Sequence, residues 1–245
     1  MRLDILKQLN AERAARRAAI VVTNQDTGAQ RLVLGKDVAN DPLRSLLEKH
    51  LRSGKSGMVE DTPEGKVFLT VHVPSPKLVI TGAVHISQAL APMAKLLGYD
   101  VTIVDPRTAF ATPERFPDVK VVAEWPDVAL PPIGIDRYTA FVALTHDPKI
   151  DDPGLDAALK SDCFYIGALG SRKTHQNRVA RMKQAGFSDA QLARIHAPIG
   201  LDIGAVTPQE IAVSIAAELI AVRRGKADAL SSASLRWFPN LKALR

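Results

Sequence analysis

From Lys77 onward the sequence repeats one arrangement: a short apolar run, a turn signal, then a helical stretch. The runs are Leu78–Thr81, Val101–Val104, Val119–Ala123, Thr139–Thr145 and Phe164–Ile166. Helical patterns lie near His85–Leu97, 152–160, 171–185, 188–195 and 207–224. The runs show no polar alternation, which suits strands covered on both faces. Strands that alternate with helices in this way build a parallel sheet with helices on both sides. The predicted class is α/β, a Rossmann-like doubly wound parallel sheet.

The chain before Lys77 is organised differently. Leu3, Ile5, Leu6, Leu9 and Ala14 predict an amphipathic helix carrying Arg13, Arg16 and Arg17. Asp4 and Glu12 argue against a mitochondrial presequence, because such peptides are poor in acids. Ala19–Thr23 and Gln30–Leu34 flank a turn and predict a hairpin. Asp41-Pro42 predicts a helix start, with Asp41 as cap and the helix running to about Arg52. Ser53 to Gly57 is a loop, and Lys66 to Val73 a strand. Pro74-Ser75-Pro76 is the expected boundary. The expected organisation is a small α+β domain over 1–76, the parallel-sheet domain over 77–225 and a basic tail over 226–245.

Composition narrows the function classes. The 245 residues are 46% hydrophobic and 24% charged, which excludes a disordered or low-complexity chain. The single cysteine, Cys163, excludes an internal disulfide and a multi-cysteine zinc site, and it fits a reducing compartment. No apolar run has the length of a membrane span. The expectation is a cytoplasmic protein with no membrane partner. The net charge of +6 sits at the ends: residues 77–220 carry 14 basic and 16 acidic groups. A nucleic-acid footprint is a basic face of the folded domain, so no nucleic-acid partner is expected.

Four segments carry candidate chemistry. The turn Thr81-Gly82-Ala83-Val84-His85 follows the first parallel strand and opens a helix, in the manner of a dinucleotide fingerprint. Asp105 follows Gly82 by 23 residues, where an acid bonds a ribose hydroxyl. Val84, however, fills the second glycine position. The segment Gly167-Ala168-Leu169-Gly170-Ser171-Arg172-Lys173 leaves a strand and starts a helix with two cations in its first turn. Cations there oppose the helix dipole, and a bound anion would relieve the conflict; a solvated basic helix start is the other reading. Thr145-His146-Asp147 ends a third strand. Gly200-Leu201-Asp202-Ile203-Gly204 forms a constrained loop before a helix capped by Thr207, Pro208 and Glu210. Cys163 reads as a buried structural thiol.

Together these segments resemble the C-terminal domain of the XdhC/CoxI family. The resemblance rests on Gly167 to His175, Arg178-Val179-Ala180-Arg181, Ala185-Gly186-Phe187-Ser188, His196 to Ala205, and Thr207-Pro208-Gln209-Glu210-Ile211-Ala212. The stretch from Leu78 to Val104-Asp105-Pro106-Arg107 fits the same family. The resemblance implies an accessory protein, more a carrier than a turnover enzyme, for maturation of xanthine dehydrogenase-type molybdenum hydroxylases. It implies the molybdenum cofactor as ligand, in its molybdopterin or dinucleotide form. Implied partners are the apo-hydroxylase, a cysteine desulfurase and a second copy of the chain. The implied binding set is Gly82, His85, Asp105, Arg107, Thr145, His146, Asp147, Gly167, Leu169, Gly170, Ser171, Arg172, Lys173, Gly200, Asp202 and Gly204, with no catalytic residue and no metal ligand. Where the family's first domain commonly has a Gly-Gly-Cys-type loop, this chain has Ser56-Gly57-Met58-Val59-Glu60. Where the family's turn usually has Gly-x-Gly-His, it has Gly82-Ala83-Val84-His85. The alternative reading is an NAD(P)-dependent oxidoreductase or dinucleotide-binding protein.

Overall fold

The computed structural model describes residues 2–226, which form two compact units meeting at Pro74 and Ser75. The basic tail expected over 226–245 lies outside the described residues apart from Lys226.

The first unit contains α1 (Leu3–Ala14), β1 (Ala19–Asn24), β2 (Gln30–Leu34), α2 (Arg44–Ser53), β3 (Gly57–Val59) and β4 (Val67–His72). Its strands make an antiparallel sheet in the order β2-β1-β4-β3. Alternate residues of β1 explain why its apolar run is continuous. Ala19 and Val21 pack with Ile5 and Leu9 of α1 on one face. Ile20 and Val22 pack with Leu47 of α2 on the other. Full burial of a side chain such as Leu47 contributes about 2 kcal/mol.

The expected helix start at Asp41 moves to Arg44. Asp41 does not cap the helix directly. Its carboxylate pairs with Arg31 of β2, which also holds Glu64 at 2.6 Å, and accepts the Leu43 N–H at 2.9 Å. That long-range network keeps Pro42 in a turn ahead of the helix.

The second unit contains β5 (Lys77–Thr81), α3 (His85–Leu96), β6 (Asp100–Val104), β7 (Lys120–Val122), α4 (Pro126–Ile133), β8 (Thr139–Ala143), α5 (Pro148–Lys160), β9 (Tyr165–Ala168), α6 (Arg172–Gln184), α7 (Asp189–Leu192), β10 (Ile195–His196) and α8 (Pro208–Arg223). Its sheet is parallel throughout, in the order β10-β9-β8-β5-β6-β7. Both faces are covered. Leu78, Ile80, Ile103 and Val142 pack with α3 and α8. Val79, Phe141 and Ile166 pack with α4, α5 and α6. The helix expected over 188–195 is only the four residues of α7. Ile195 instead joins the sheet beside Ile166, which extracts more burial from an isoleucine than an exposed helix end would.

The chain leaves β5 through β6 to β7 on one side and returns through β8 to β10 on the other. The order reverses between β5 and β8. A doubly wound sheet opens a crevice at that point, beyond the carboxyl ends of its strands.

Candidate functional site

Gly82 starts the turn after β5 at φ +110°. A Cβ there would stand 2.7 Å from Thr145 Cγ2, so only glycine lets the turn pass the loop after β8. The Gly82 N–H is held by Val104 O, and Leu144 N–H by Thr81 O, both at 2.9 Å. The turn feeds α3, whose first-turn amides have no intrahelical partner. Ser87 Oγ takes the Val84 N–H, leaving His85 and Ile86 at the open end. The His85 side chain is exposed, with Nδ1 3.2 Å from Gln88 Oε1.

Asp105 is fully buried. Its oxygens accept the Ala83 N–H at 2.7 Å, the Arg107 N–H at 2.9 Å, and Arg107 Nε and Nη2 at 2.9 and 2.6 Å. Burial alone would raise its carboxyl, but the Arg107 guanidinium and the two amides outweigh burial and hold it below the usual carboxylate range. Asp105 therefore ties the turn after β5 to Arg107, with no face left for a ribose hydroxyl. Arg107 is half-buried and lies over the Phe110 ring at 4.8 Å. Asp105, burial, and then Asp147 and Asp151 across the crevice govern its charge, with the net effect upward.

The rim after β8 is built on a residue absent from the sequence-based set. Asp151, in the first turn of α5, is 2% exposed. It accepts Thr145 Oγ1–H at 2.8 Å, Thr145 N–H at 3.3 Å and His146 N–H at 3.1 Å. His146 is held at φ +67°, a left-handed conformation unusual for a residue with a side chain. Asp147 caps α5 by accepting the Lys149 N–H at 2.9 Å. His146 and Asp147 are exposed and Thr145 is half-buried. Burial raises the Asp151 carboxyl against its hydrogen bonds.

The rim after β9 begins inside the strand. Gly167 is buried, and a Cβ there would meet Ile199 at 2.5 Å, so this glycine serves packing rather than ligand contact. Leu169 N–H donates to Ala143 O at 2.8 Å. Gly170 follows at φ +128°, and Ser171 caps α6 by accepting the Thr174 N–H at 3.2 Å. Arg172 and Lys173 stand exposed at the first two helical positions, with no acid in that turn. Among the described residues neither makes an ion pair.

The fourth predicted segment lies beyond β10, at the sheet edge. Gly200, at φ +90°, packs on Ser214, and its N–H donates to Glu218 Oε2 at 2.8 Å. Ser214 Oγ donates to Leu201 O at 2.6 Å. The loop is thus fastened to α8. Asp202 and Gly204 are exposed.

The structure therefore brings together the loops of Gly82, Arg107, Thr145–Asp147 and Leu169–Lys173 at the strands' carboxyl ends. A cavity of about 980 Å³ between α4, α5 and α6 contains none of the predicted residues. Among the described residues no cluster of three or more metal-binding side chains occurs, and no helix is long and apolar enough to cross a membrane.

The sheet order and these loops match a known domain. The model of the XdhC Rossmann domain matches residues 78–219. This chain belongs to the XdhC family. It is 33% identical over 150 residues to the molybdenum cofactor insertion chaperone PaoD of Escherichia coli (strain K12), covering 61% of this chain and 41% of that protein. It is 32% identical over 159 residues to a probable xanthine dehydrogenase subunit of Bacillus subtilis (strain 168), covering 64% and 46%. It is 36% identical over 159 residues to the uncharacterized protein YqeB of Escherichia coli (strain K12), covering 64% and 29%. The chain thus spans less than half the length of each of these relatives. A crystal structure described as a xanthine dehydrogenase from Bacillus halodurans shares the fold, with TM-score 0.64 and 24% identity over 94% of this chain and 66% of that one.

Asp151 and Arg178 hold two of the loops that carry the candidate residues of this XdhC-family chain, and neither contact is legible from sequence. Arg178 is 2% exposed, and its Nη2 donates to Leu169 O at 2.7 Å. An acid in a helix's first turn and an arginine within a basic helix give no sequence signal of such roles. The only pointer is the position of Arg178 inside the family motif run.

Proposed function

We propose that this chain is a maturation factor that binds the molybdenum cofactor and hands it to an apo molybdenum hydroxylase of the xanthine dehydrogenase type. One observation carries the reading: Arg172 and Lys173 stand exposed at the open end of α6, on one rim of the switch-point crevice, and make no ion pair among the described residues. The name of the relative PaoD supports the ligand, and that of the Bacillus subtilis relative supports the class of target.

The residues fit such a group. A ligand with a phosphate or pyrophosphate and a flat polar ring needs amide donors, a few cations and polar groups converging in one crevice. Ser171, Arg172, Lys173 and the α6 amides would hold its phosphate. Arg107, Thr145, His146 and the open end of α3 would line the rest. When bound, the cofactor supplies the molybdenum centre used by the target enzyme. This chain's part is to hold it and screen it from water. The finer parts of the proposal are assistance in sulfuration of the cofactor, a cysteine desulfurase as sulfur donor, self-association into a homodimer, and residence in the cytoplasm. The nicotinamide reading is weaker, because Val84 stands where a second glycine would let a pyrophosphate approach the backbone, and both Asp105 oxygens are taken by Arg107 and two amides.

The test is transfer. Cofactor-loaded protein is mixed without oxygen with an apo-hydroxylase, and hydroxylase activity is followed. The proposal expects activity with loaded protein and none with free protein. An equal rate of activation by free cofactor alone, with or without this chain, overturns it.

A further inference from the structure

The two loops that form the crevice rims after β8 and β9 are each fastened from below by one buried charged side chain. Asp151 comes from α5 and Arg178 from α6, two helices on the same face of the sheet. The three shortest hydrogen bonds to Asp151 all come from the 145–146 rim. One of them is from the amide of His146, the only predicted site residue with a side chain that is held at positive φ. Backbone strain at a crevice persists only where its surroundings enforce it, and Asp151 supplies that enforcement.

Arg178 is used in a way that helix stability does not explain. Side chains on a helix lean toward its N-terminus, which carries the guanidinium back to the carboxyl end of β9. There Nη2 donates to Leu169 O, the last carbonyl before Gly170 and Ser171. Nε and Nη1 are buried with no hydrogen-bond partner, and His175 Nδ1, one turn earlier on the helix, is likewise buried and unpartnered. A buried donor left unpaired is costly, and a shorter neutral donor would serve one carbonyl with fewer losses. Burial disfavours the charge of Arg178, the negative charges of Asp151 and Asp152 favour it, and Arg181 opposes it, while Arg178 in turn disfavours a charged His175. Asp151 and Arg178 carry opposite charges that favour each other without a direct ion pair among the described residues, and each holds one rim by its own hydrogen bonds.

We propose that Asp151 and Arg178 are the positioning residues of the crevice. Asp151 sets His146 and the 145–147 rim, and Arg178 sets the 169–171 rim that presents Arg172 and Lys173. The proposal rests on the cofactor-binding reading for its ligand but not for its geometry.

The test uses the full chain and four variants: Asp151→Asn, Asp151→Glu, Arg178→Met and Arg178→Lys. Glu218→Gln is the control, since it removes a partly buried carboxylate that serves the opposite face of the sheet. Three quantities are read: the melting temperature, the amide NMR signals of His146 and Gly170, and the dissociation constant for molybdenum cofactor freshly released from a molybdoenzyme. Asp151→Asn is expected to shift the His146 amide and Arg178→Met the Gly170 amide. Each is expected to weaken cofactor binding about tenfold, the scale seen when a partner that orients a ligand-binding group is lost. Arg178→Lys recovers part of the loss, and Glu218→Gln changes neither signal nor affinity at a similar drop in melting temperature. If Asp151→Asn does not fold, Asp151→Glu, which keeps the charge, carries the same expectation. Amide signals of His146 and Gly170 at their wild-type positions in the variants overturn the proposal, as does weakening that only follows melting temperature in every variant including the control. If wild-type protein retains no cofactor, the functional reading falls, and the amide signals alone decide this one.

Discussion

Substituting Gly82 by alanine tests whether the turn and the rim after β8 are packed as described. The first cost is conformational. An L-residue held at φ +110° sits in a sparsely populated region, at about 1–3 kcal/mol. The second cost is steric, since the new Cβ would lie 2.7 Å from Thr145 Cγ2 and 3.4 Å from Leu144 C and Thr145 N. Overpacking of this kind costs about 1–3 kcal/mol. The expected loss is about 3 kcal/mol, or roughly 6–12 °C in melting temperature for a unit of this size. The two costs separate in a second variant. Thr145→Ser removes the methyl that the Cβ strikes and keeps the hydroxyl that donates to Asp151 at 2.8 Å. Gly82→Ala/Thr145→Ser is therefore expected to be more stable than the sum of its single changes by about 1–2 kcal/mol, while the conformational cost stays. Urea unfolding followed by circular dichroism gives the three values. Additivity within about 0.5 kcal/mol, or a harmless Gly82→Ala, refutes the reasoning.

Other consequences follow from single contacts. Gly154→Ala in α5 gains helix propensity, but its Cβ would stand 2.5 Å from Phe141 Cζ and 3.1 Å from Thr81 Cγ2. A net loss of about 1–3 kcal/mol in denaturant unfolding is expected. At Glu218, burial raises the carboxyl, but hydrogen bonds from His196, Tyr165 and the Gly200 amide outweigh it and hold it below its usual range. A lowered carboxylate contributes stability that is present above its unfolded value and lost as pH falls through its folded one. Wild-type protein should therefore lose more stability than Glu218→Gln on acidification below about pH 5, measured by thermal melts across pH. Burial raises the Cys163 thiol, so a thiol reagent at neutral pH should label it slowly in the native protein and rapidly in urea. Equal rates in both conditions contradict the packing described.

The parts of the fold that are legible in the sequence share one physical cause. β5, β6, β8 and β9 are buried on both faces, so their apolar runs are unbroken and their order with the helices implies a parallel sheet. β3 and β10, with three and two residues, are too short to carry a pattern. α4 is hidden by Pro126, Pro131 and Pro132, which read as loop although Pro126 occupies a favoured first helical position. Within the site, the strand ends are legible but the destination of each side chain is not. Gly82 and Gly170 shape turns at the crevice, whereas Gly167 and Gly200 serve packing against Ile199 and α8. A missing Cβ looks the same in sequence whether it faces a ligand or a neighbouring helix. Asp105 sits at the strand end where an acid is expected, but Arg107, two residues further on, takes it up. Asp151 acts through the Thr145 hydroxyl and two loop amides, and Arg178 through the Leu169 carbonyl, and no local pattern records such contacts.

The central claim is that the crevice carries an anionic molybdenum cofactor against the first turn of α6. The most direct measurement expresses the protein in a host that makes the cofactor, purifies it without oxygen, and oxidises it to release fluorescent pterin. Wild-type protein should yield pterin near one per chain. Arg172→Ala/Lys173→Ala should yield little at an unchanged or slightly raised melting temperature, because both cations oppose the helix dipole when no ligand is bound. Wild-type protein free of pterin, or a double variant that keeps the wild-type amount, contradicts the claim.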